Sequence, residues 1–113
     1  MGVKSVIKFH TLATATATGE EYNIKFNYDN DLVMVVSIGG TATSRTLVFQ
    51  AKDDNGNWVN VLGYNATDAT SAITTTSIAN EIWKLDLTGF AGFRVSITAI
   101  AGGNVSVTGK VVN

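Results

Sequence analysis

Apolar and polar residues alternate with a period of two along almost the whole chain, and helical spacing is nowhere sustained over the roughly ten residues a helix requires. The pattern predicts strands and turns throughout. Residues 22–28 place Tyr22, Ile24, Phe26 and Tyr28 on one face and polar side chains on the other, which predicts a strand with one wet face. Residues 32–38 form a nearly continuous apolar run between Asn30-Asp31 and Gly39-Gly40, the pattern of a central strand covered on both faces. In residues 11–18 small apolar and hydroxyl side chains alternate, and this stretch is expected as a half-exposed strand or an arm.

The clearest hairpin lies at residues 45–62. Leu47, Phe49 and Ala51 share a face, the run breaks at Asp53-Asp54-Asn55-Gly56-Asn57, and alternation resumes at Trp58. The Asn-Gly pair supplies the positive backbone φ that tight turns need. Residues 63–80 are rich in Thr, Ser and Ala and predict a long loop with one short strand near 71–77. A strand at residues 82–87 precedes a last pair, residues 93–99 and 105–112, predicted as a second hairpin around Ala101-Gly102-Gly103-Asn104. Arg94 is expected to form a cross-strand ion pair with Asp86. About eight short strands with regular turns imply one all-β domain over residues 1–113, an antiparallel β-sandwich that is jelly-roll-like or immunoglobulin-like. Residues 1–18 would supply its amino-terminal strand or arm.

Composition sharpens this picture. The chain of 113 residues is 45% apolar and only 15% charged, enough apolar material for one core and too little charge for a disordered tail. Eight basic against nine acidic residues give a net charge of -1, without the basic excess of a nucleic-acid binder. There is no cysteine and no proline. No stretch approaches the roughly 18 apolar residues that cross a bilayer, and the opening Met1-Gly2-Val3-Lys4-Ser5 has no apolar core of an export signal. Neither a membrane nor a signal peptide is therefore expected.

Candidate chemistry is sparse. The single histidine, His10, has no second imidazole or thiol with which to hold zinc, and no serine sits in a nucleophile-elbow setting, so no catalytic, metal or cofactor residues are assigned and no enzyme activity is expected. Asp53, Asp54, Asn55 and Asn57 make an oxygen-rich turn. A calcium hand needs about six to eight oxygens and a bidentate Glu at its end, where Tyr64 stands, so a polar hairpin turn is the reading taken. Trp58 and Trp83 lie in strand patterns and are read as core or sheet-surface packing, with a sugar-stacking platform as the alternative. The candidate surface loop is Asp53, Asp54, Asn55, Asn57, Trp58 and Tyr64. The sequons at Asn65 and Asn104 carry no weight without a secretion signal.

From Leu47 onwards the order L-V-F-Q-A-K, D-D-N-G-N-W-V-N-V, I-W-K-L-D-L-T-G-F-A-G-F-R-V-S-I-T-A and G-N-V-S-V-T-G resembles a module of small structural proteins of tailed bacteriophages. One departure is Asn57, inserted between Gly56 and Trp58 in a turn richer in Asp and Asn than the family's. The resemblance implies a β-sandwich in a virion component, such as a capsid decoration, head-fibre or tail-accessory protein, and no catalytic residues. The expectation is a non-enzymatic structural component of a phage particle, made in the host cytoplasm and located in the virion. Its partners would be a major capsid or tail protein and its own copies in a small homo-oligomer such as a trimer. The alternative is a carbohydrate- or receptor-binding β-sandwich module using the candidate loop at one end of the sandwich.

Overall fold

Strands β-branched at every few positions, separated by Gly, Asn and Asp, build two packed antiparallel sheets. The computed structural model describes residues 6–24 and 32–112. Its strands are β1 (Ile7–Ala13), β2 (Tyr22–Asn23), β3 (Val33–Gly40), β4 (Ser44–Lys52), β5 (Trp58–Asn60), β6 (Gly63–Asn65), β7 (Thr70–Ala72), β8 (Thr74–Thr75), β9 (Glu81–Asp86), β10 (Gly92–Ala101) and β11 (Val105–Val112). One sheet has six strands in the order β1-β11-β3-β9-β6-β7; the other has five, β2-β10-β4-β5 with β8 also on β4. No described residue is helical.

Setting aside the short strands β6, β7 and β8, the eight that remain run first, eighth, third, sixth in one sheet and second, seventh, fourth, fifth in the other. This is the jelly-roll order, which decides between the two sandwich topologies the alternation leaves open.

The predicted second hairpin is not one. β10 pairs with β4 and β11 pairs with β3, so residues 102–104 carry the chain from one sheet to the other. They run beside the β3–β4 link, which makes the same crossing: the amides of Thr41 and Ala42 donate to the Asn104 carbonyl at 2.9 and 3.0 Å. Turn chemistry announces a reversal but not which sheet receives the next strand.

Four further expectations shift. The amino-terminal strand begins earlier than residues 11–18, at Ile7, because Phe9 and His10 face inward. The Thr/Ala stretch is no free arm, since Ala17 exchanges backbone hydrogen bonds with Ile97 at 3.1 and 2.8 Å. Of the predicted strand at residues 22–28, Tyr22 and Asn23 form β2, while residues 25–28 lie outside the described residues. β3 is central as expected but covered on one face only: Met34, Val36 and Ile38 are buried, whereas Val33 and Val35 are half-buried on the outer face, where Val35 stands in register between Lys84 and Lys110.

The core joins the layers through two aromatic pairs. Phe9 of β1 meets Phe93 of β10 edge-on, centroids 5.5 Å apart, and Phe49 of β4 meets Trp83 of β9 at 4.8 Å. Each such pair adds about 0.5–1.5 kcal/mol beyond its buried area. Gly63 is placed by this packing: a Cβ there would fall 3.0 Å from the Trp83 ring and 3.2 Å from Phe49.

Candidate functional site

The Asp53 turn forms as the sequence suggests, through its own side chain. Asp53 Oδ1 accepts from the amides of Asn55 and Asn57 at 2.8 and 2.9 Å, and the Gly56 amide donates to the Asp53 carbonyl at 3.1 Å. Gly56 alone takes a positive φ, 86°, giving the three-residue loop in which a left-handed glycine follows the turn. The amide of Asn57 above all holds the Asp53 carboxyl below its usual range against the opposing effect of desolvation, with further lowering from the Asn55 amide, the Asn57 side chain and the Gly56 amide. Its oxygens are thus committed to the turn. Among the described residues no three His, Asp or Glu side chains gather as a metal-binding group.

That turn sets the register of β4 and β5, pairing Lys52 with Trp58 and Gln50 with Asn60. On the other side of β4, Gln50 faces Arg94 and Lys52 faces Gly92. Period-two alternation points all of these side chains to the outer face of the five-stranded sheet. The Arg94 guanidinium lies 4.0 Å from the centroid of the Trp58 ring, and Lys52 Nζ lies 5.5 Å from it. Gln50 Oε1 accepts from Arg94 Nε at 2.9 Å and from Ser96 Oγ at 2.7 Å, and Gln50 Nε2 donates to Asn60 Oδ1 at 3.1 Å. Lys52 is neutralised by Glu21, 2.6 Å away.

The expected pair of Arg94 with Asp86 does not form, because β10 and β9 belong to different sheets. Trp58 packs on the sheet surface and Trp83 in the core, as read from their strand settings. Tyr64 is separated from the rest of the candidate loop: it lies on β6 of the six-stranded sheet, in register with Lys84. Its face carries two open depressions, one lined by Val33, Leu62 and Tyr64 and the other by Ser37, Thr67, Asn80 and Thr108. Ile82 and Val112 are exposed there beside Lys8, Lys84 and Lys110. Asp86 on the same face is held below the usual carboxyl range by the Thr88 amide and hydroxyl.

A second polar cluster lies inside. Arg45 of β4 is buried, with Nε donating to the Ser77 carbonyl at 2.7 Å and Nη2 to that of Ala79 at 2.6 Å, and Glu81 of β9 stands 3.9 Å away. Desolvation lowers the Arg45 pKa from its usual value, and Glu81 opposes the shift. Glu81 accepts from Thr75 Oγ1 at 2.8 Å and Asn65 Nδ2 at 3.2 Å. Asn65, buried in this cluster, cannot serve as a glycan acceptor in the folded chain. Sequence reading missed Gln50, Asn60 and Ser96. Alternation and the hairpin register signal the first two, but nothing local signals the pairing of β4 with β10.

The comparisons with known proteins agree with the geometry. A family model described as XepA matches residues 3–111. The chain is 32% identical to the SPbeta prophage-derived uncharacterized protein YomS of Bacillus subtilis, over 97% of this chain and 88% of that protein. It is 30% identical to the Phage-like element PBSX protein XepA of the same organism, over 93% of this chain but 36% of that protein. The crystal structure of YomS superposes with a TM-score of 0.85 over 98% of this chain and 94% of YomS. That of the PBSX exported protein XepA gives 0.86 over 97% of this chain and 38% of XepA. The chain thus spans nearly all of YomS and little more than a third of XepA.

Proposed function

The chain belongs to the XepA family, and from that premise we propose that it is a non-enzymatic phage structural protein, a capsid decoration or head or tail accessory component that works by assembly. The observation that carries this reading is the match, along almost its whole length, to proteins of prophage elements. The outer face of the six-stranded sheet supports it. Exposed Leu62, Tyr64, Ile82 and Val112 interleaved with lysines form a mixed surface of the kind that buries against another protein. The partners are a capsid or tail protein and further copies of the chain, and its place is the particle.

Particles purified after induction of the encoding phage provide the test. The chain is expected in them by mass spectrometry at a fixed ratio to the major capsid or tail protein. Absence from particles, together with failure to sediment with them when added back, overturns the proposal.

The description of XepA as an exported protein favours a second reading, a carbohydrate- or receptor-binding module that meets its target outside the cell. Here the site is the Arg94–Trp58 face, with the chain recovered from the medium rather than from particles.

A further inference from the structure

The outer face of the five-stranded sheet has an unequal supply of donors and acceptors, and the inequality follows from bonding rules. Arg94 can only donate, so the Gln50 atom 2.9 Å from its Nε must be the carbonyl oxygen. Ser96 Oγ, 2.7 Å from the same oxygen, must donate too. The Gln50 amide nitrogen then faces Asn60, whose oxygen must turn to meet it at 3.1 Å, sending the Asn60 Nδ2 group the other way. Both acceptor sites of Gln50 Oε1 are therefore filled, and Asn60 Oδ1 is engaged by Gln50. Arg94 Nη1 and Nη2, without a hydrogen-bond partner or carboxylate among the described residues, and Asn60 Nδ2 are donors in surplus.

The charge is as one-sided as the hydrogen bonding. Lys52 is paired with Glu21, whereas Arg94 meets no carboxylate among the described residues. The guanidinium is fixed from two directions, against the Trp58 ring at 4.0 Å and through Nε to Gln50, leaving its terminal fork presented in a set orientation. A fork fixed in advance loses little freedom on binding and matches a planar carboxylate in two parallel bonds. Glu21 and the acidic turn beside Trp58 disfavour the concentrated charge of a phosphate more than single carboxylates spaced along a chain. The backbones of Arg94 and Asn60 stand two strands apart, but a single Gln50 amide bridges their side chains, so a ligand that uses both need only span that amide.

We propose that the Arg94–Gln50–Asn60 row beside Trp58 binds a carboxylated saccharide of the uronic-acid class, its carboxylate on the Arg94 fork and its hydroxyl or ring oxygens on Asn60. This rests on the second, receptor-binding reading and is independent of particle assembly.

Titration of the full chain with trigalacturonate, followed by nuclear magnetic resonance of side-chain N–H signals, tests it. The Arg94 Nε–H, the Trp58 indole N–H and the Asn60 amide are expected to shift, while neutral galactotriose leaves them in place. Arg94→Gln and Arg94→Lys should each weaken binding by at least about tenfold, the loss of a charge-assisted bond in a fixed geometry. Asn60→Ala, exposed on an edge strand, should weaken it by about threefold with the fold intact. No shift at millimolar trigalacturonate, equal binding by the neutral sugar, unchanged affinity in the Arg94 variants, or equal affinity for pentaglutamate overturns the proposal. Sedimentation with particles, measured on the same variants, is expected to be unaffected, so the virion reading and the saccharide site fail separately.

Discussion

His10 Nε2, on the six-stranded sheet, lies 2.6 Å from the carbonyl oxygen of Val95 on the five-stranded sheet, so a single imidazole ties the two layers. The carbonyl can only accept, which places the proton on Nε2. The bond completes the outer edge of β10. Phe93 is paired there with Tyr22 of β2, and Ile97 bridges to Ala17. Between them no strand among the described residues lies beside Val95, and the histidine supplies a donor to its carbonyl.

Replacing His10 by Phe keeps a planar ring but leaves the Val95 carbonyl without that donor. Urea denaturation should show a loss of about 1–3 kcal/mol, the cost of an unsatisfied buried polar group. Gly19 must remain for any such ring to fit, since a Cβ on it would lie 2.5 Å from the imidazole and 2.9 Å from the Phe9 carbonyl. An unchanged transition midpoint in His10→Phe would mean that the inter-sheet bond contributes nothing.

Arg45 and Glu81 make the opposite kind of inter-sheet contact, a buried charge pair with Arg45 Nη1 left without a partner. Glu81→Leu strands the guanidinium in the interior and should cost about 3–5 kcal/mol. Adding Arg45→Met removes the stranded charge and should recover most of that loss, because matched apolar replacements of buried pairs are often neutral. If the double variant is no more stable than Glu81→Leu, then the carboxylate matters for Thr75 and Asn65 rather than for Arg45.

How much of this was legible depends on sequence distance. The hairpin through Asp53 is written locally: alternation gives the faces, Asn-Gly the turn, and the register of Lys52 with Trp58 follows. The contacts that make the Trp58 row a site are not local, since Arg94 is 44 positions from Gln50. Alternation tells which residues share a face of their strand, but not which sheet the strand joins. That is why alternation alone pairs Arg94 with Asp86 and makes β10 and β11 look like a hairpin. Likewise Tyr64, four residues past the end of β5, lies on the other layer because the chain crosses there. The buried Arg45 gave no signal, for on alternation alone an inward arginine looks like an error in phase.

Ala69 takes a left-handed φ of 61° in the exposed turn between β6 and β7. A side chain with a Cβ costs roughly 1–2 kcal/mol in that region. Glycine removes the clash but adds freedom to the unfolded chain, worth about 0.4–1 kcal/mol. Ala69→Gly should therefore stabilise the protein by roughly 0.5–1 kcal/mol and raise the melting temperature by a few degrees in calorimetry. A lower melting temperature would show that the turn is held in place by something other than its backbone preference.

Asp53 gives stability a dependence on pH of known sign. The amides of the turn stabilise its ionised form, so its folded pKa lies below the ordinary carboxyl value of about 3.9 found in the unfolded chain. A group depressed in this way contributes fully above the unfolded pKa, and that contribution is lost as pH falls through the folded one. Asp53→Asn keeps an oxygen to accept from Asn55 and Asn57 but removes the charge. At pH 7 the variant should therefore melt below the parent. As the medium is acidified past the ordinary carboxyl range the gap should narrow, closing once Asp53 is protonated in the folded protein. Asp86, depressed by Thr88, titrates alike in both proteins and cancels from the difference. A gap that stays constant from neutral pH into strong acid would mean that the turn is held by the geometry of its acceptors and not by the charge on Asp53.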